Sequence, residues 1–290
     1  MIKQILVPHL KKLPLTKLKL LAATVLYKTV KLFIHKDKIT ITRKGIRYCL
    51  DLREGIDLSL FLFSNFQKHI TSNKYITLPE KPVILDIGAN IGSMALSFSS
   101  LWEKSIVHAI EPSDYSYEKL LENIRLNPDL DQRIHPHKLF FSDQNHPVSQ
   151  EKVYSSWKID KKHKNRHPVH GGLETPVTKV RTLTLDDFCE SLGLGQIDLI
   201  KIDTDGHEYS ILTGSLNTLK TRKPLVIFET GAYIMRERSL LFQDYYSFFT
   251  KLNYRLFSLQ DKVEIGLENY ATIIPVLSTI DILAIPEGKN

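Results

Sequence analysis

Short apolar runs, separated by stretches with helical spacing, give the middle of the chain its pattern. The runs at 83–85 and 105–110 are apolar enough for strands that are buried on both faces. Between them Ile91, Ala95 and Phe98 recur at the spacing of one helix face. A strand, a glycine turn and a helix form the opening unit of a doubly wound sheet, so the pattern predicts an α/β fold with a mostly parallel sheet.

The same alternation continues toward the C-terminus. Further strands are predicted at 137–141, 177–183 and 197–202, in the VIFE segment that ends at Glu229, and at 254–259 and 280–285. Further helices are predicted at 112–126, after Thr184, before Gly214 and at 241–252. Ser113 is expected to cap the first of these helices. The last two strands should pair antiparallel, and the aromatic side chains of the last helix should lie in the core.

The chain before the first core strand carries its own pattern. Residues 37–51 alternate on either side of Lys44-Gly45, which predicts a β-hairpin. Residues 58–69 are apolar enough for a buried helix. We therefore expect an appendage at 36–78 that covers the ligand-binding end of a main domain at 79–287.

Residues 9–35 interleave leucines and valines with lysines. No uncharged run reaches the ~18–20 residues that a membrane span needs, and the start of the chain lacks the layout of a signal peptide. Two interpretations of this N-terminal arm, at 1–35, stay open. The arm lies as a basic helix on an anionic membrane surface, or it packs on the domain with its lysines in solvent.

Composition sets broad limits on the class of protein. Of 290 residues, 42% are hydrophobic and 24% charged, as in a soluble globular protein. A net charge of +7 favours an acidic partner, such as nucleic acid, an anionic lipid surface or an acidic glycan. Cys49 and Cys189 form neither a disulfide framework nor a metal pattern, which fits a reducing compartment. We therefore expect a cytoplasmic protein, peripheral to the inner face of the membrane if the N-terminal arm binds lipid.

The turn after the first strand carries the first chemical pattern. Gly88 and Gly92 are four residues apart, and Asn90 stands where the dinucleotide fingerprint has a glycine, which disfavours an NAD enzyme. Asp86 would repel a pyrophosphate at the helix start and would suit a cationic ligand. An acid with glycines at this spacing is the pattern of S-adenosylmethionine sites, since that cofactor has an ammonium, a sulfonium and no phosphate. The alternative is a turn that only reverses the chain.

Polar side chains also end the next two predicted strands. Glu111 follows Asp86 by 25 residues, close to the ~20 expected for an acid that binds ribose hydroxyls. The alternative for Glu111 is a solvated strand end. Ser142 and Asp143 would lie near the adenine ring, although Ser-Asp is also ordinary turn chemistry.

The segment at 144–176 is the least regular, and it is rich in lysine, histidine and glycine. Long loops inside compact domains are usually functional or disordered. A positive loop near the pocket could hold a phosphate-bearing or acidic acceptor. His163, His167 and His170 could in principle bind a metal, but the neighbouring glycines and the lack of cysteines favour a solvated loop.

A second polar cluster follows the predicted fourth strand. Asp203 should face Gly88, because the fourth strand of a doubly wound sheet lies beside the first. Asp205, His207 and Glu208 come next. Asp205 and Glu208 have the spacing of a capping box, and Asp203 could simply end the strand. Three acids and a histidine within six residues exceed what a cap requires, so we place the cluster in the site.

These segments, in this order, resemble the FkbM-type family of S-adenosylmethionine-dependent methyltransferases. The resemblance covers about residues 44–230 and rests on LDIGANIGSMALSFS, AIEPS, VRTLTLDDF, IDLIKIDTDGHEYSILTG and VIFE. Many relatives have Val-Glu-Gly-Ala where this chain has Thr204, Asp205, Gly206 and His207. The resemblance implies the Rossmann-like, seven-stranded sheet of class I methyltransferases and O-methylation of a saccharide or small-molecule hydroxyl. It also implies that the N-terminal segment and the basic loop select the acceptor.

The polar cluster supplies what such a reaction needs. The sulfonium already activates the methyl group, so the protein mainly aligns three atoms, which is worth ~7–11 kcal/mol. A base for the hydroxyl proton adds ~10²–10⁴-fold. His207 is the candidate base because histidine titrates near working pH, and Asp203 and Glu229 are rivals or orient the acceptor. A hard metal ion on Asp203, Asp205 and Glu229 would also lower the pKa of the hydroxyl, but direct base catalysis is favoured and no metal is expected.

Two other classes of function stay open. The positive charge fits a nucleic-acid-binding or RNA-modifying protein, although the chain lacks interleaved aromatic and basic motifs. The other alternative is a non-catalytic scaffold that binds the cofactor.

Overall fold

The computed structural model describes residues 17–63, 67–147, 152–155, 159, 167, 169, 171–177 and 180–288. The strands in these ranges are β1 (Lys38–Arg43), β2 (Ile46–Asp51), β3 (Val83–Ile87), β4 (Ile106–Ile110), β5 (Ile134–His137), β6 (Leu139–Phe141), β7 (Lys152–Ser155), β8 (Leu173–Pro176), β9 (Arg181–Leu183), β10 (Leu199–Ile202), β11 (Leu225–Thr230), β12 (Tyr254–Ser258) and β13 (Ile280–Pro286).

The helices in the same ranges are α1 (Lys17–Phe33), α2 (Gly55–Leu62), α3 (Lys68–Thr71), α4 (Ser93–Leu101), α5 (Asp114–Arg125), α6 (Pro128–Asp131), α7 (Leu185–Ser191), α8 (Glu208–Thr213), α9 (Leu216–Arg222), α10 (Ala232–Glu237), α11 (Phe242–Lys251) and α12 (Tyr270–Ile273). None of these helices combines the length with the apolar character that crossing a bilayer requires.

One mixed sheet organises the fold. Its seven strands run in the order β12-β13-β11-β10-β3-β4-β5. β10 pairs in parallel with β3, with Leu199 opposite Ile84 and Ile202 opposite Ile87. β13 pairs antiparallel with both β11 and β12. The predicted doubly wound, mostly parallel sheet with an antiparallel C-terminal pair is therefore confirmed.

The third strand of the sheet differs from the prediction at 137–141. The sheet strand is β5, which pairs with β4, whereas β6 pairs with β9 in a separate two-stranded sheet. β5 contains Pro136, which argues against a central strand because proline donates no hydrogen bond. An edge strand tolerates proline, and β5 is the edge strand of the sheet. Of the strand predicted at 177–183, Arg181–Leu183 form β9, and residues 178 and 179 lie outside the described residues.

The structure corrects the extent of one predicted helix and the cap of another. The continuous helix predicted at 58–69 is wrong, because α2 ends at an extended Phe63 and Gln67 has a left-handed backbone with φ 48°. Residues 64–66 lie outside the described residues. The helix predicted at 112–126 is confirmed as α5, but Ser113 does not cap it with its side chain. The Ser113 hydroxyl donates to Glu111 Oε1 instead, at 2.6 Å.

The core forms on both faces of the sheet. On one face Phe188 of α7 and Phe249 of α11 are buried, at 2% and 0% exposure. The Phe228 ring of β11 stacks on Tyr245 of α11, with centroids 5.5 Å apart. On the other face the fully buried Leu120 of α5 packs in the cluster that includes α4 and β2. The predicted core position of the aromatic helix is confirmed.

The predicted hairpin is confirmed as β1 and β2, and it packs beside α5. Asn123 Oδ1 accepts a hydrogen bond from Cys49 N at 2.7 Å, and Asn127 Oδ1 accepts one from Arg47 N at 2.8 Å. The buried ion pair of Lys119 with Asp57 joins α5 to α2. The division into 1–35, 36–78 and 79–287 stays a prediction.

Candidate active site

A cavity of about 340 Å³ opens where β3, β4, β10 and β11 end. Parallel strands of an open sheet present their carboxyl ends at one edge, which is where such folds bind ligands. The predicted site residues that line the cavity are Asp86, Gly88, Asn90, Glu111, Asp203, Asp205 and Glu229. Gly92, Ser142, Asp143 and His207 are not among its lining residues.

Gly88 is required by the close approach of two strands. Its φ is +81°, and a Cβ at this position would lie 1.9 Å from the carbonyl oxygen of Asp203. Gly88 N also donates to Ile110 O at 2.9 Å. The backbone after β3 is therefore packed between the ends of β4 and β10, as the topology of the sheet predicts.

The rest of the turn prepares the start of α4. Asn90 has a left-handed backbone with φ 50°, and Gly92 has φ +85° at the N-cap of α4. A Cβ on Gly92 would lie 2.6 Å from Leu120 Cδ1. Gly92 thus supports the shape of the turn from behind, while Asn90 lines the cavity.

Glu111 joins the turn to the start of α5. Its Oε2 accepts from Asn90 N at 3.0 Å, and its Oε1 accepts from the backbone N of Ser113 at 3.0 Å as well as from the hydroxyl. The side chain is 6% exposed, and burial raises the pKa of this carboxyl. A carboxylate oxygen can accept two hydrogen bonds, so Oε2 keeps room for one more donor from the cavity.

Lys201 lies at the bottom of the cavity between two carboxylates. Its Nζ is 3.1 Å from Asp203 Oδ2 and 3.6 Å from Asp86 Oδ1, and the side chain is 2% exposed. Burial acts to lower the pKa of Lys201, but the charges of Asp203 and Asp86 outweigh it and raise the pKa, so the lysine stays charged. Sequence analysis missed Lys201, although a lysine inside an otherwise apolar strand was a visible signal.

Asp86 is the most buried acid of the cavity. It is 0% exposed, and neither carboxylate oxygen accepts a hydrogen bond from the described residues. Burial raises the pKa of Asp86, partly offset by Lys201. With Lys201 Nζ 3.6 Å away and no hydrogen bond to either oxygen from the described part of the chain, Asp86 marks a position where a ligand with hydrogen-bond donors would be stabilised.

Glu208 fixes the loop that follows β10. Its Oε1 accepts from Thr204 N at 2.8 Å, and its Oε2 accepts from Gly206 N at 2.9 Å. Burial raises the pKa of Glu208 from 4.5 to about 7. The alternative interpretation, a capping box of Asp205 with Glu208, does not hold, because His207 occupies the N-cap of α8.

Asp205, in the loop after β10, and Glu229, in the neighbouring strand β11, both line the cavity. Burial raises the pKa of both carboxyls well above their ordinary values, and the charge of Asp203 adds to each shift. Asp205 has a left-handed backbone with φ 51°. Glu229 Oε1 accepts a hydrogen bond from Thr279 Oγ1 at 2.5 Å.

His207 points away from the cavity. Its Nε2 lies 3.2 Å from Lys152 O and 3.1 Å from Arg238 Nη2, and Phe140 packs edge-on against its ring. Burial, together with the Arg238 charge, lowers the pKa of His207 to about 4. The orientation of the His207 ring depends on partners far away in the sequence, so the spacing of residues around His207 could not predict it.

Ser142 and Asp143 bind the protein itself. The Ser142 hydroxyl is 2.9 Å from Ser210 Oγ, and Ser210 Oγ donates to Asp143 Oδ1 at 3.1 Å. These contacts connect the end of β6 to α8. The neighbouring Phe140 and Phe141, which the sequence did not single out, line the cavity instead.

The described part of the predicted basic loop forms one wall of the cavity. Val153 and Tyr154 of β7 and Gly172 line it. His167 lies outside the lining, with Nε2 3.0 Å from Glu237 Oε1. Most of the lysines of this loop, together with His163 and His170, lie outside the described residues. Among the residues that are described, no group of three or more His, Cys, Asp or Glu side chains has the arrangement of a metal site.

Comparison with known families gives a match over most of the main domain. The family model described as Methyltransferase FkbM domain matches residues 86–256. A solved structure, the methyltransferase FkbM from Methylobacillus flagellatus KT, is 17% identical with a TM-score of 0.46, and the alignment covers 73% of this chain and 45% of that chain.

Two curated proteins also resemble the chain. The 2-O-methyltransferase NoeI of Sinorhizobium fredii is 34% identical over 160 residues, which cover 51% of this chain and 64% of NoeI. The hexuronic acid methyltransferase AglP of Haloferax volcanii is 28% identical over 142 residues, which cover 49% of this chain and 53% of AglP. The chain therefore spans less than two thirds of the length of either curated relative.

Proposed function

Because the chain belongs to the FkbM methyltransferase family, we propose that it transfers the methyl group of S-adenosylmethionine to a hydroxyl of a saccharide. The observation that carries this proposal is the cavity beside Gly88, whose charged lining consists of five carboxylates and one lysine among the described residues. A negative cavity favours a donor with an ammonium and a sulfonium. The name of one curated relative specifies O-methyl transfer and the name of the other specifies a sugar acid, which together support an oxygen of a saccharide as acceptor.

The cavity residues at the ends of β3 and β4 fit the donor. Asp86 is fully buried beside Lys201 and accepts no hydrogen bond from the described residues, so it would hold the ammonium through a water molecule. Glu111 Oε2 has one acceptor position left, and it would hold a ribose hydroxyl. When bound, S-adenosylmethionine supplies a methyl group that its sulfonium already activates.

We assign the role of general base to Asp205. It lines the cavity, and its raised pKa makes its carboxylate a stronger proton acceptor than an exposed aspartate. A non-glycine residue with φ 51° is unusual, and such backbone conformations cluster at functional sites. The carboxylate would take the acceptor's hydroxyl proton as the new O–C bond forms and the methyl C–S bond of the donor breaks, which leaves a neutral thioether.

Glu229 and Asp203 would orient the acceptor rather than deprotonate it. Glu229 already accepts a hydrogen bond from Thr279, which fixes its carboxyl group. Asp203 is paired with Lys201 and is 32% exposed toward the cavity side of the loop. The two side chains would hold further hydroxyls of the sugar, while Tyr154 offers a ring at the opposite wall.

His207 is not assigned the role of base. Its Nε2 lies within hydrogen-bond distance of Lys152 O, to which it can donate, and of Arg238 Nη2, from which it can accept in the other tautomer. The lowered pKa makes the ring a weak proton acceptor at neutral pH. Its position supports a structural role, in which it joins the loop after β10 to β7.

The proposal is tested by following a labelled methyl group. Purified protein is incubated with S-adenosylmethionine that carries an isotopic label on the methyl group, together with neutral saccharides, saccharides that contain uronic acids, and RNA. Mass spectrometry should find the label as an O-methyl on a saccharide. Label on RNA would overturn the proposal in favour of an RNA-modifying enzyme. Donor binding without transfer to any acceptor, including extracted cell-envelope glycans, would overturn it in favour of a scaffold.

A further inference from the structure

Helix α1 presents an apolar stripe to solvent. Val25 and Leu26 are 55% and 42% exposed, and Leu32 and Phe33 are 73% and 81% exposed. With the exposed Ala22 and Thr29, these positions recur every three or four residues and so share one face. We call the set Ala22, Val25, Leu26, Thr29, Leu32 and Phe33 the outer stripe.

The opposite face of α1 is less exposed than the outer stripe. Tyr27, Val30 and Ile34 are partly buried on that side. The Tyr27 hydroxyl donates to Asp37 Oδ1 at 2.9 Å. The helix therefore has one apolar face that is partly buried and a second apolar face that is exposed, whereas the outward face of an ordinary surface helix is polar.

The charge around the outer stripe is of one sign. Helix α1 has lysines at 17, 19, 28 and 31 and no acidic residue. The only carboxylate between positions 17 and 50 belongs to Asp37, which is paired with Lys31 Nζ at 2.9 Å and lies 4.0 Å from Arg53 Nη1. Exposed Lys28, Lys36 and Lys38 leave a net positive surface at this end of the helix.

We propose that the outer stripe docks α1 in the plane of an anionic lipid surface. An exposed apolar stripe flanked by lysines is what an interfacial helix requires, since apolar side chains enter the acyl boundary and lysines meet anionic headgroups. A second copy of the chain is a less favourable partner for the stripe, because a two-fold contact would bring the lysines of both helices together. The described part of α1 is not long and apolar enough to cross a membrane, so the proposal places it in the plane of the surface.

Vesicle flotation tests the proposal with the whole protein. Wild-type protein should float with vesicles of phosphatidylcholine and phosphatidylglycerol, and far less with phosphatidylcholine alone. Leu32→Ser with Phe33→Ser should weaken flotation about tenfold or more, because both side chains lose their burial in lipid. Lys28→Gln should weaken it about fivefold, and added salt should act in the same direction.

The matched control places the same change on another exposed apolar pair. Leu241 and Val276 are 69% and 59% exposed, far from α1 in the chain, and Leu241→Ser with Val276→Ser should float like wild type. The proposal is overturned if wild-type protein does not bind the anionic vesicles, or if the stripe variant binds as well as wild type. It is also overturned if sedimentation shows a lipid-free dimer that only the stripe variant dissociates. Calorimetric binding of S-adenosylmethionine should be unchanged in the stripe variant, so this test and that of the proposed function fail separately.

Discussion

The loops after β3 and after β10 leave neighbouring parallel strands at the same edge of the sheet, yet they are built differently. The loop after β3 is determined by its backbone, with Gly88 pressed against Asp203 and Gly92 against Leu120. The loop after β10 is determined by side chains, because Glu208 accepts hydrogen bonds from the backbone of Thr204 and Gly206. A loop that needs glycines for its backbone conformation can be recognised in the sequence from their spacing. The contacts of a side chain depend on residues that are distant in the sequence and cannot be recognised in this way.

The largest effect is expected for a methyl group at Gly88. Gly88→Ala would bring Cβ to 1.9 Å from Asp203 O, so β3 and β10 would have to separate. We expect a loss of ~4 kcal/mol or more in the free energy of unfolding, together with loss of S-adenosylmethionine binding. Urea unfolding and calorimetry measure the two effects.

Gly45→Ala is the matched control for the loop after β3. Gly45 has the same φ of +81°, and a Cβ on it would have nothing within 4 Å. The variant should lose only the ~1–2 kcal/mol that a left-handed backbone costs a residue with a side chain. Equal losses in the two variants would show that close packing does not determine this loop.

A chemical prediction concerns the loop after β10. Asp205→Asn keeps a residue that tolerates φ 51° but removes the proposed base, so kcat should fall ~10²–10⁴-fold while donor binding stays unchanged. In wild-type protein, activity should fall as the pH drops through the raised pKa of Asp205, because the carboxylate must be unprotonated to accept a proton.

Steady-state kinetics of His207→Phe should show a loss of less than about tenfold. A larger loss for His207→Phe than for Asp205→Asn would reverse the assignment.

A stability prediction concerns the lysine between the two loops. Lys201→Met leaves Asp86 and Asp203 without their buried partner and should cost ~3–5 kcal/mol. Adding Asp86→Asn should recover part of that loss, which a double-mutant cycle in urea measures. Lys119→Met is the matched control, since Lys119 pairs with the buried Asp57 away from the cavity. If Asp86→Asn rescued both lysine variants equally, the coupling of Lys201 to Asp86 would be refuted.

The smallest effect is a pH dependence that arises from Glu208. Its pKa rises from 4.5 in the unfolded chain to about 7 in the folded protein, so the folded state holds this proton more tightly. The stability that this group contributes is present below about pH 4.5 and is lost as the pH rises through about pH 7, in total ~3 kcal/mol. Glu208→Gln should flatten this slope in urea titrations, whereas the exposed Glu118→Gln should leave it unchanged. An unaltered slope in Glu208→Gln would contradict the assignment.

Much of the fold could be predicted because it follows from local rules. The run at 83–85, the glycine turn and the spacing of Ile91, Ala95 and Phe98 correspond to β3 and α4. The position of β10 beside β3 followed from the topology of doubly wound sheets. The third strand was placed wrongly because Pro136 disfavours a central strand, and the sequence does not tell that β5 lies at the edge.

The candidate site could be predicted less completely. Its acids come from strand ends, so the sequence pointed to Asp86, Glu111 and Asp203, which do line one cavity. Lys201 was missed because an apolar strand hides the direction of a single charged side chain. The orientation of His207 depends on Arg238, which lies 31 positions away in the chain.

Calorimetric titration of S-adenosylmethionine into wild-type protein and Glu111→Gln tests the central claim most directly. Wild-type protein should bind one donor per chain, and Glu111→Gln should bind at least about tenfold more weakly, because an amide replaces the carboxylate that we propose accepts the ribose hydroxyl. Urea unfolding of the same samples confirms that the variant is folded. Absence of binding by the wild type, or equal affinity in a folded Glu111→Gln, would contradict the assignment of this cavity to the methyl donor.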